Sequence, residues 1–302
     1  MRTLGLKMMS RQVMVGLAFT VLGVLSSCSS LVPKVAGSDV QALAGLAPSP
    51  EHSQWGYQNQ APRSLLWIGN SFFYYNNSMH GHVGQLQKAM GEKGFSATSV
   101  TISGSGLNWH DVESNFRPGG VASYSFVGDN EVKFNAANQS FDAVMMMDCS
   151  QCPIHPKLSA VFYEFVAKHS KTIREHGARP ILFMSWAYAD KPEMTEPLAQ
   201  AYIKAGQLNR AQVVPAGYAF ENALAKRPDL KLIIADKRHP TLMGTYLAAC
   251  TVLASVYELN PVGNSYTAGL PLEDALYLQR VAWETVQAFK SREQVKKSPS
   301  IQ

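Results

Sequence analysis

The chain has 302 residues, 46% of them hydrophobic and 16% charged, which is enough apolar material for a buried core and too much for a disordered chain. The formal charge is +5, but Arg2, Lys7 and Arg11 crowd the start of the chain. Without those three, 24 Lys and Arg face 22 Asp and Glu, a balance that excludes the basic surface a nucleic-acid partner requires.

Arg2, Lys7 and Arg11 form a basic start, Val13 to Leu25 is an apolar run, and Leu25-Ser26-Ser27-Cys28 closes it with small residues before a cysteine. About 13 apolar residues fall short of the roughly 20 that cross a bilayer as a helix. Residues 1–27 therefore read as a secretory signal peptide. The last four residues of this leader resemble the lipobox of bacterial lipoproteins, which implies lipid on Cys28 and a membrane anchor in the bacterial cell envelope. Ser29, rather than an aspartate after the cysteine, implies the outer membrane, facing the periplasm or the cell surface. Residues 28–60, rich in Ser, Ala, Gly, Pro and Gln without periodicity, read as a flexible tether.

A single domain is expected over 61–292, with a disordered tail over 293–302. Its first strand is Leu65 to Ile68, ending in Gly69-Asn70-Ser71, and a helix is expected from Met79 to Lys93. Ala97 to Ile102 is the second strand, closed by Ser103-Gly104-Ser105-Gly106. Residues 115–140 read as an irregular excursion with a hairpin around Gly128-Asp129-Asn130. Phe141 to Met147 is apolar on both faces, like a buried parallel strand. After Pro156 comes an amphipathic helix whose stripe is Leu158, Val161, Phe162, Phe165, Val166 and Ile173. Pro180 to Trp186 is the fourth strand, followed by a helix over Glu196 to Ala211. Val213-Val214-Pro215 begins a fifth segment, which its proline disfavours at the centre of a sheet. Leu232-Ile233-Ile234 is a further short apolar run, and helices over Thr241 to Glu258 and Pro271 to Phe289 close the domain. Strands alternating with helices of this length indicate a three-layer α/β/α sandwich, flavodoxin-like, around a parallel sheet of about five strands. In such sheets the chemistry gathers at the carboxyl ends of the strands.

Two features stand there. Serine is a weak nucleophile until a base takes its proton, so a hydrolase needs a histidine within hydrogen-bond reach and an acid to orient it. Ser71 sits where the first strand stops. Asp236-Lys237-Arg238-His239-Pro240 puts an acid three residues before a histidine, in a loop leading to a helix.

Together these blocks resemble the SGNH/GDSL hydrolase superfamily, whose first block is similar to Ile68-Gly69-Asn70-Ser71-Phe72 and whose last is similar to Asp236-x-x-His239-Pro240 followed by Gly244-x-Tyr246-Leu247. The likeness spans roughly residues 64 to 290 and is nearest to a bacterial branch with Gly-Asn-Ser in the first block. It implies an SGNH hydrolase-like fold, a catalytic triad of Ser71, His239 and Asp236, and an oxyanion hole begun by Ser71. Ile102-Ser103-Gly104-Ser105-Gly106-Leu107 matches the glycine block, which makes the Gly104 N–H the candidate donor and Gly106 its alternative. The asparagine block departs from the pattern: Cys149-Ser150-Gln151-Cys152-Pro153 replaces Gly-x-Asn-Asp. Spacing from Asp142 puts Gln151 in the asparagine's place, with Ser150 as the alternative.

Cys149 and Cys152 form a C-x-x-C that reads as a local disulfide or two buried thiols, and Cys250 reads as a core residue. His80 and His82 lack a third ligand at metal spacing, and no nucleotide-binding loop follows a strand, so no metal or organic cofactor is implied. The function implied by the resemblance is hydrolysis of a small-molecule or glycan ester, a carbohydrate acetyl ester being favoured, through an acyl-enzyme. Two alternatives remain open: an inactive envelope glycan-binding protein on the same fold, and a lipase or thioesterase for longer acyl chains.

Overall fold

The computed structural model describes residues 61–120, 124–128, 131–134 and 140–295. The expected signal peptide, Cys28, the tether and the chain beyond Val295 lie outside these residues. The strands are β1 (Ser64–Gly69), β2 (Ser96–Thr101), β3 (Tyr124–Gly128), β4 (Glu131–Phe134), β5 (Ala143–Met146), β6 (Arg179–Phe183) and β7 (Gln212–Val214). The helices are α1 (Ser71–Tyr74), α2 (Met79–Ala89), α3 (Ser159–Glu175), α4 (Thr195–Asn209), α5 (Ala216–Lys226), α6 (Leu242–Val256) and α7 (Leu272–Val295).

Five strands form one parallel sheet in the order β2-β1-β5-β6-β7. Successive strand residues point to opposite faces, and both faces are buried. Leu65, Trp67, Met145, Ile181 and Phe183 enter a core with α2, α5, α6 and most of α7. Leu66, Ile68, Val144, Met146 and Leu182 enter a second core with α3 and α4. That two-sided burial explains why these strands read as continuous apolar runs rather than as an alternation, and the architecture is the expected three-layer α/β/α sandwich. β3 and β4 pair antiparallel as the hairpin of the 115–140 excursion, with residues 129 and 130 outside the described set.

Local differences from the sequence reading have physical causes. The helix expected to reach Lys93 stops at Ala89, with Gly91 in the left-handed region just beyond. Leu158 precedes α3 and is 38% exposed instead of joining its buried stripe. The Val213-Val214 segment, by contrast, lies where its proline was expected to put it, off the centre of the sheet as the edge strand β7, and Pro215 falls just after it, where no ladder N–H is lost. Helix α5, directly after that proline, had no counterpart in the sequence reading. Leu232-Ile233-Ile234 does not join the sheet: Ile233 bridges to Pro240, while Thr241 N donates to Leu232 O at 2.9 Å and Ile234 N to His239 O at 2.9 Å.

The order of the sheet positions the site. From β1 the chain lays β2 on one side and later β5 on the other, so the strand order reverses at β1, and its carboxyl end opens onto a crevice of the kind that binds ligands in such folds.

Candidate active site

β1 ends at Gly69, and the chain turns at once into α1 with Ser71 in its first position. Asn70 is the cap: its backbone is extended, and its Oδ1 accepts from Phe72 N at 3.2 Å. The same side chain donates through Nδ2 to Ser105 O at 3.0 Å and to Asp148 O at 3.2 Å. One buried amide thus ties the segments that follow β1, β2 and β5. A Cβ at Gly69 would lie 2.8 Å from the Phe73 ring, itself held in the core against Trp67 and Phe183, so the turn carrying Ser71 needs glycine there.

Ser71 Oγ lies 2.8 Å from His239 Nε2, across 168 positions of sequence. His239 Nδ1 is 2.5 Å from Asp236 Oδ2. Asp236 Oδ1 accepts from Arg238 N at 2.9 Å and His239 N at 3.0 Å, folding the acid back over its own loop. Burial alone would raise the Asp236 pKa, but these backbone bonds and the imidazole contact outweigh it and hold the carboxyl down at about 2.

The loop itself is braced from four directions. Ile233–Pro240 closes its base, and Trp186 Nε1 donates to Arg238 O at 3.0 Å. Ala189 N donates to Lys237 O at 2.9 Å. Asn76, just past α1, donates to Pro240 O at 3.0 Å and to Thr245 Oγ1 at 2.8 Å. Around the imidazole, the Tyr75 ring stacks face to face at 4.4 Å between centroids, and Phe72 meets it edge-on at 5.5 Å. Phe72 continues a stack through Trp186 at 4.6 Å to Phe220 at 4.2 Å. Pairs of this kind contribute about 1 kcal/mol each beyond their buried area, enough to hold the imidazole's orientation.

Gly104 occupies the turn after β2 with φ +69°, a conformation that glycine adopts without strain, and a Cβ built there would meet nothing within 4 Å. The N–H groups of Ser71, Gly104 and Gly106 donate no hydrogen bond among the described residues. Gly106 is packed closely: a Cβ there would stand 2.8 Å from Asp148 Oδ1. Gln151 is exposed and its amide has no hydrogen-bond partner among the described residues, whereas the Ser150 hydroxyl is 2.7 Å from Tyr188 Oη. Cys149 and Cys152 are joined by a disulfide, which closes the turn containing Ser150 and Gln151. Cys250 is a buried free thiol.

Three groups escaped the sequence reading. Asp148 is buried directly after β5, and its Oδ1 accepts from Leu107 N at 2.9 Å and Cys149 N at 2.8 Å. Desolvation raises its pKa, partly offset by those two bonds. Tyr75 and Trp186 are the others; no motif marks them, because their roles arise from tertiary stacking. His110 is buried with Nε2 3.0 Å from Ser105 Oγ, which in turn donates to Gly69 O at 3.2 Å. His80 and His82 do not act together: His82 uses both ring nitrogens, on Tyr266 Oη and Asn76 O. Among the described residues no group of three or more His, Cys, Asp or Glu is arranged to hold a metal ion.

No protein-family model matches the chain, and no curated protein does either. Among solved structures, a DUF4886 family protein from Bacteroides uniformis ATCC 8492 is similar, with a TM-score of 0.55 and 21% identity over 75% of this chain and 95% of that one. A member of the lipolytic protein G-D-S-L family from Veillonella parvula DSM 2008 matches with a TM-score of 0.46 and 14% identity, over 65% of this chain and 99% of that one. The psychrotrophic esterase EstA from Pseudoalteromonas sp. matches with a TM-score of 0.45 and 11% identity, over 65% and 97%. The first of these likenesses shows that this chain shares its α/β/α fold with the Bacteroides uniformis protein.

Proposed function

We propose that this protein is a serine esterase working through an acyl-enzyme, with Ser71 as nucleophile. The observation that carries the reading is the continuous line of hydrogen bonds from Ser71 Oγ through His239 to Asp236, at the point of the sheet where the strand order reverses.

In this reading His239 Nε2 takes the Ser71 proton as Oγ attacks the ester carbonyl. The ionised Asp236 stabilises the imidazolium that forms and keeps Nδ1 protonated. Negative charge on the carbonyl oxygen is met by the uncommitted N–H groups of Ser71 and Gly104, each such donor being worth on the order of 3 kcal/mol of barrier. We assign the third donor to the Gln151 amide, which is uncommitted, in preference to the Ser150 hydroxyl, which is engaged with Tyr188. The imidazolium returns its proton to the leaving alcohol, and a water activated by the same nitrogen then releases the acyl group. For the acyl group we propose acetate, carried on a carbohydrate. We further propose that Cys28 carries lipid that holds the domain at the outer membrane, a reading supported by the basic, apolar and small-residue order of the leader.

The test is hydrolysis of aryl esters together with labelling by a fluorophosphonate. Turnover of an aryl acetate by the wild type, its loss in Ser71→Ala, and label on Ser71 are the expected results. Faster turnover of octanoate than acetate would move the protein to the long-chain esterases, and no turnover on a broad ester panel would leave the glycan-binding alternative. For the anchor, Cys28→Ser is expected to shift the protein from the membrane to the soluble fraction; retention at the membrane overturns it.

A further inference from the structure

We infer that Arg238 makes this site selective for esters whose leaving alcohol carries an anionic group, such as an acetylated acidic carbohydrate; the inference rests on the esterase reading and adds the substrate's charge to it.

Three observations and one step of chemical argument carry it. First, the Arg238 backbone is pinned at both ends, its N–H on Asp236 Oδ1 and its carbonyl under Trp186 Nε1, so the side chain leaves a rigid loop one residue from the imidazole. Second, the guanidinium lies over the Tyr188 ring, 4.8 Å from its centroid, and Tyr188 is buried and held through its hydroxyl by Ser150. A stacked guanidinium has already lost much of the rotamer freedom that an exposed arginine gives up on binding a ligand. Third, the charge is unspent. Neither Arg238 nor its exposed neighbour Lys237 takes part in any ion pair among the described residues, and the loop's own carboxylate, Asp236, is turned onto His239 and two backbone N–H groups. Fourth, His239 must deliver its proton to the leaving oxygen, so the alcohol departs past this loop, and a group on that alcohol comes within reach of the residue beside the imidazole. A planar guanidinium with free N–H groups fits a carboxylate, sulfate or phosphate through two parallel hydrogen bonds.

The experiment compares 4-acetoxybenzoate, anionic on the leaving group, with its methyl ester, in the wild type, Arg238→Gln and Arg238→Glu. A second pair, monophenyl succinate and its methyl ester, puts the anion on the acyl side. The expected result is that Arg238→Gln lowers the anionic-to-neutral ratio of kcat/KM in the first pair about tenfold, mainly through KM, and that Arg238→Glu lowers it further. Raising the salt concentration should shrink the wild-type ratio in the same direction. A ratio that stays the same in both variants, while both esters are turned over, overturns the inference and leaves the esterase reading standing. A loss confined to the succinate pair also overturns it, by placing the anion on the wrong side of the scissile bond. Failure of the wild type to hydrolyse any of the four esters removes the esterase reading itself, and this inference with it.

Discussion

At the scale of single residues, the site depends on which atom of His239 holds its proton. An ionised Asp236 can only accept, so the proton on a neutral His239 lies at Nδ1 and Nε2 is the acceptor toward Ser71. Because its carboxyl is held down at about 2, it keeps its charge through any ordinary assay range. Asp236→Asn preserves an oxygen for the N–H groups of Arg238 and His239, so the loop survives, but the amide donates where the carboxylate accepted and favours the wrong tautomer. A fall in kcat of roughly 100- to 10,000-fold with KM nearly unchanged is expected on an aryl acetate. A kcat within twofold of wild type removes Asp236 from the catalytic group. This part of the site was legible in the sequence because both partners lie in one five-residue stretch, where the spacing alone keeps acid and imidazole together. Tyr75, which covers the imidazole at 4.4 Å, was not legible. A tyrosine four residues after the nucleophile has no distinguishing spacing, and only the approach of the last loop gives it a partner.

At the scale of elements, the glycine turn after β2 and the disulfide turn after β5 are held in register by side chains from their neighbours. Asn70 reaches both, and Asp148 closes the arrangement by accepting from Leu107 N and Cys149 N. Removing the Asp148 carboxyl leaves two N–H groups without their acceptor in a buried place, at a cost of about 1–3 kcal/mol for each left unsatisfied. Asp148→Ala is therefore expected to lower the urea midpoint and reduce kcat together. Asp148→Asn, whose Oδ1 accepts the same two bonds, should recover most of both. Equal damage from the two substitutions would show that charge, rather than hydrogen bonding, is what the position supplies. None of this could be read along the chain, since it requires β2 and β5 to flank β1, an order that strand periodicity does not encode. The apolar run Leu232-Ile233-Ile234 illustrates the same limit. Its composition suits a strand, yet the sheet already ends at β7, and the run braces the Asp236–His239 loop instead. What the pattern did convey was the two-sided burial of β5, because residues facing both layers must all be apolar.

At the scale of the whole molecule, the packing that supports the site also sets how the fold responds to acid. His110 bonds Ser105 between the ends of β1 and β2, and its pKa is lowered from 6.5 to about 4, first by desolvation, then by the charge of His169, against a smaller opposing pull from Gly69. His169 Nε2 donates to Leu107 O at 2.9 Å, and the pKa values of both it and His80 are lowered chiefly by burial. A histidine whose folded pKa is depressed favours the neutral form in the native state. Above pH 6.5 folded and unfolded chains are both neutral there and nothing is lost. As pH falls from 6.5 towards 4 the unfolded chain binds at this position a proton that the folded one refuses, and stability drains by at most about 1.4 kcal/mol per pH unit through His110; His80 and His169 act in the same direction. Asp236 adds its own loss only lower, between its ordinary 3.8 and about 2. Asp148, raised by burial, works in the opposite sense and gains as it takes up its proton. Urea unfolding measured at intervals from pH 7 to about pH 4.5 should therefore show stability declining well before Asp236 titrates. His110→Gln separates the contributions, since its amide still donates to Ser105 Oγ but does not titrate. That variant should be less stable than wild type at pH 7 yet show a shallower decline into acid, with the two curves converging. Parallel curves would mean that His110 takes up its proton at the same pH in the folded and unfolded chains, so that its burial between β1 and β2 does not depress it.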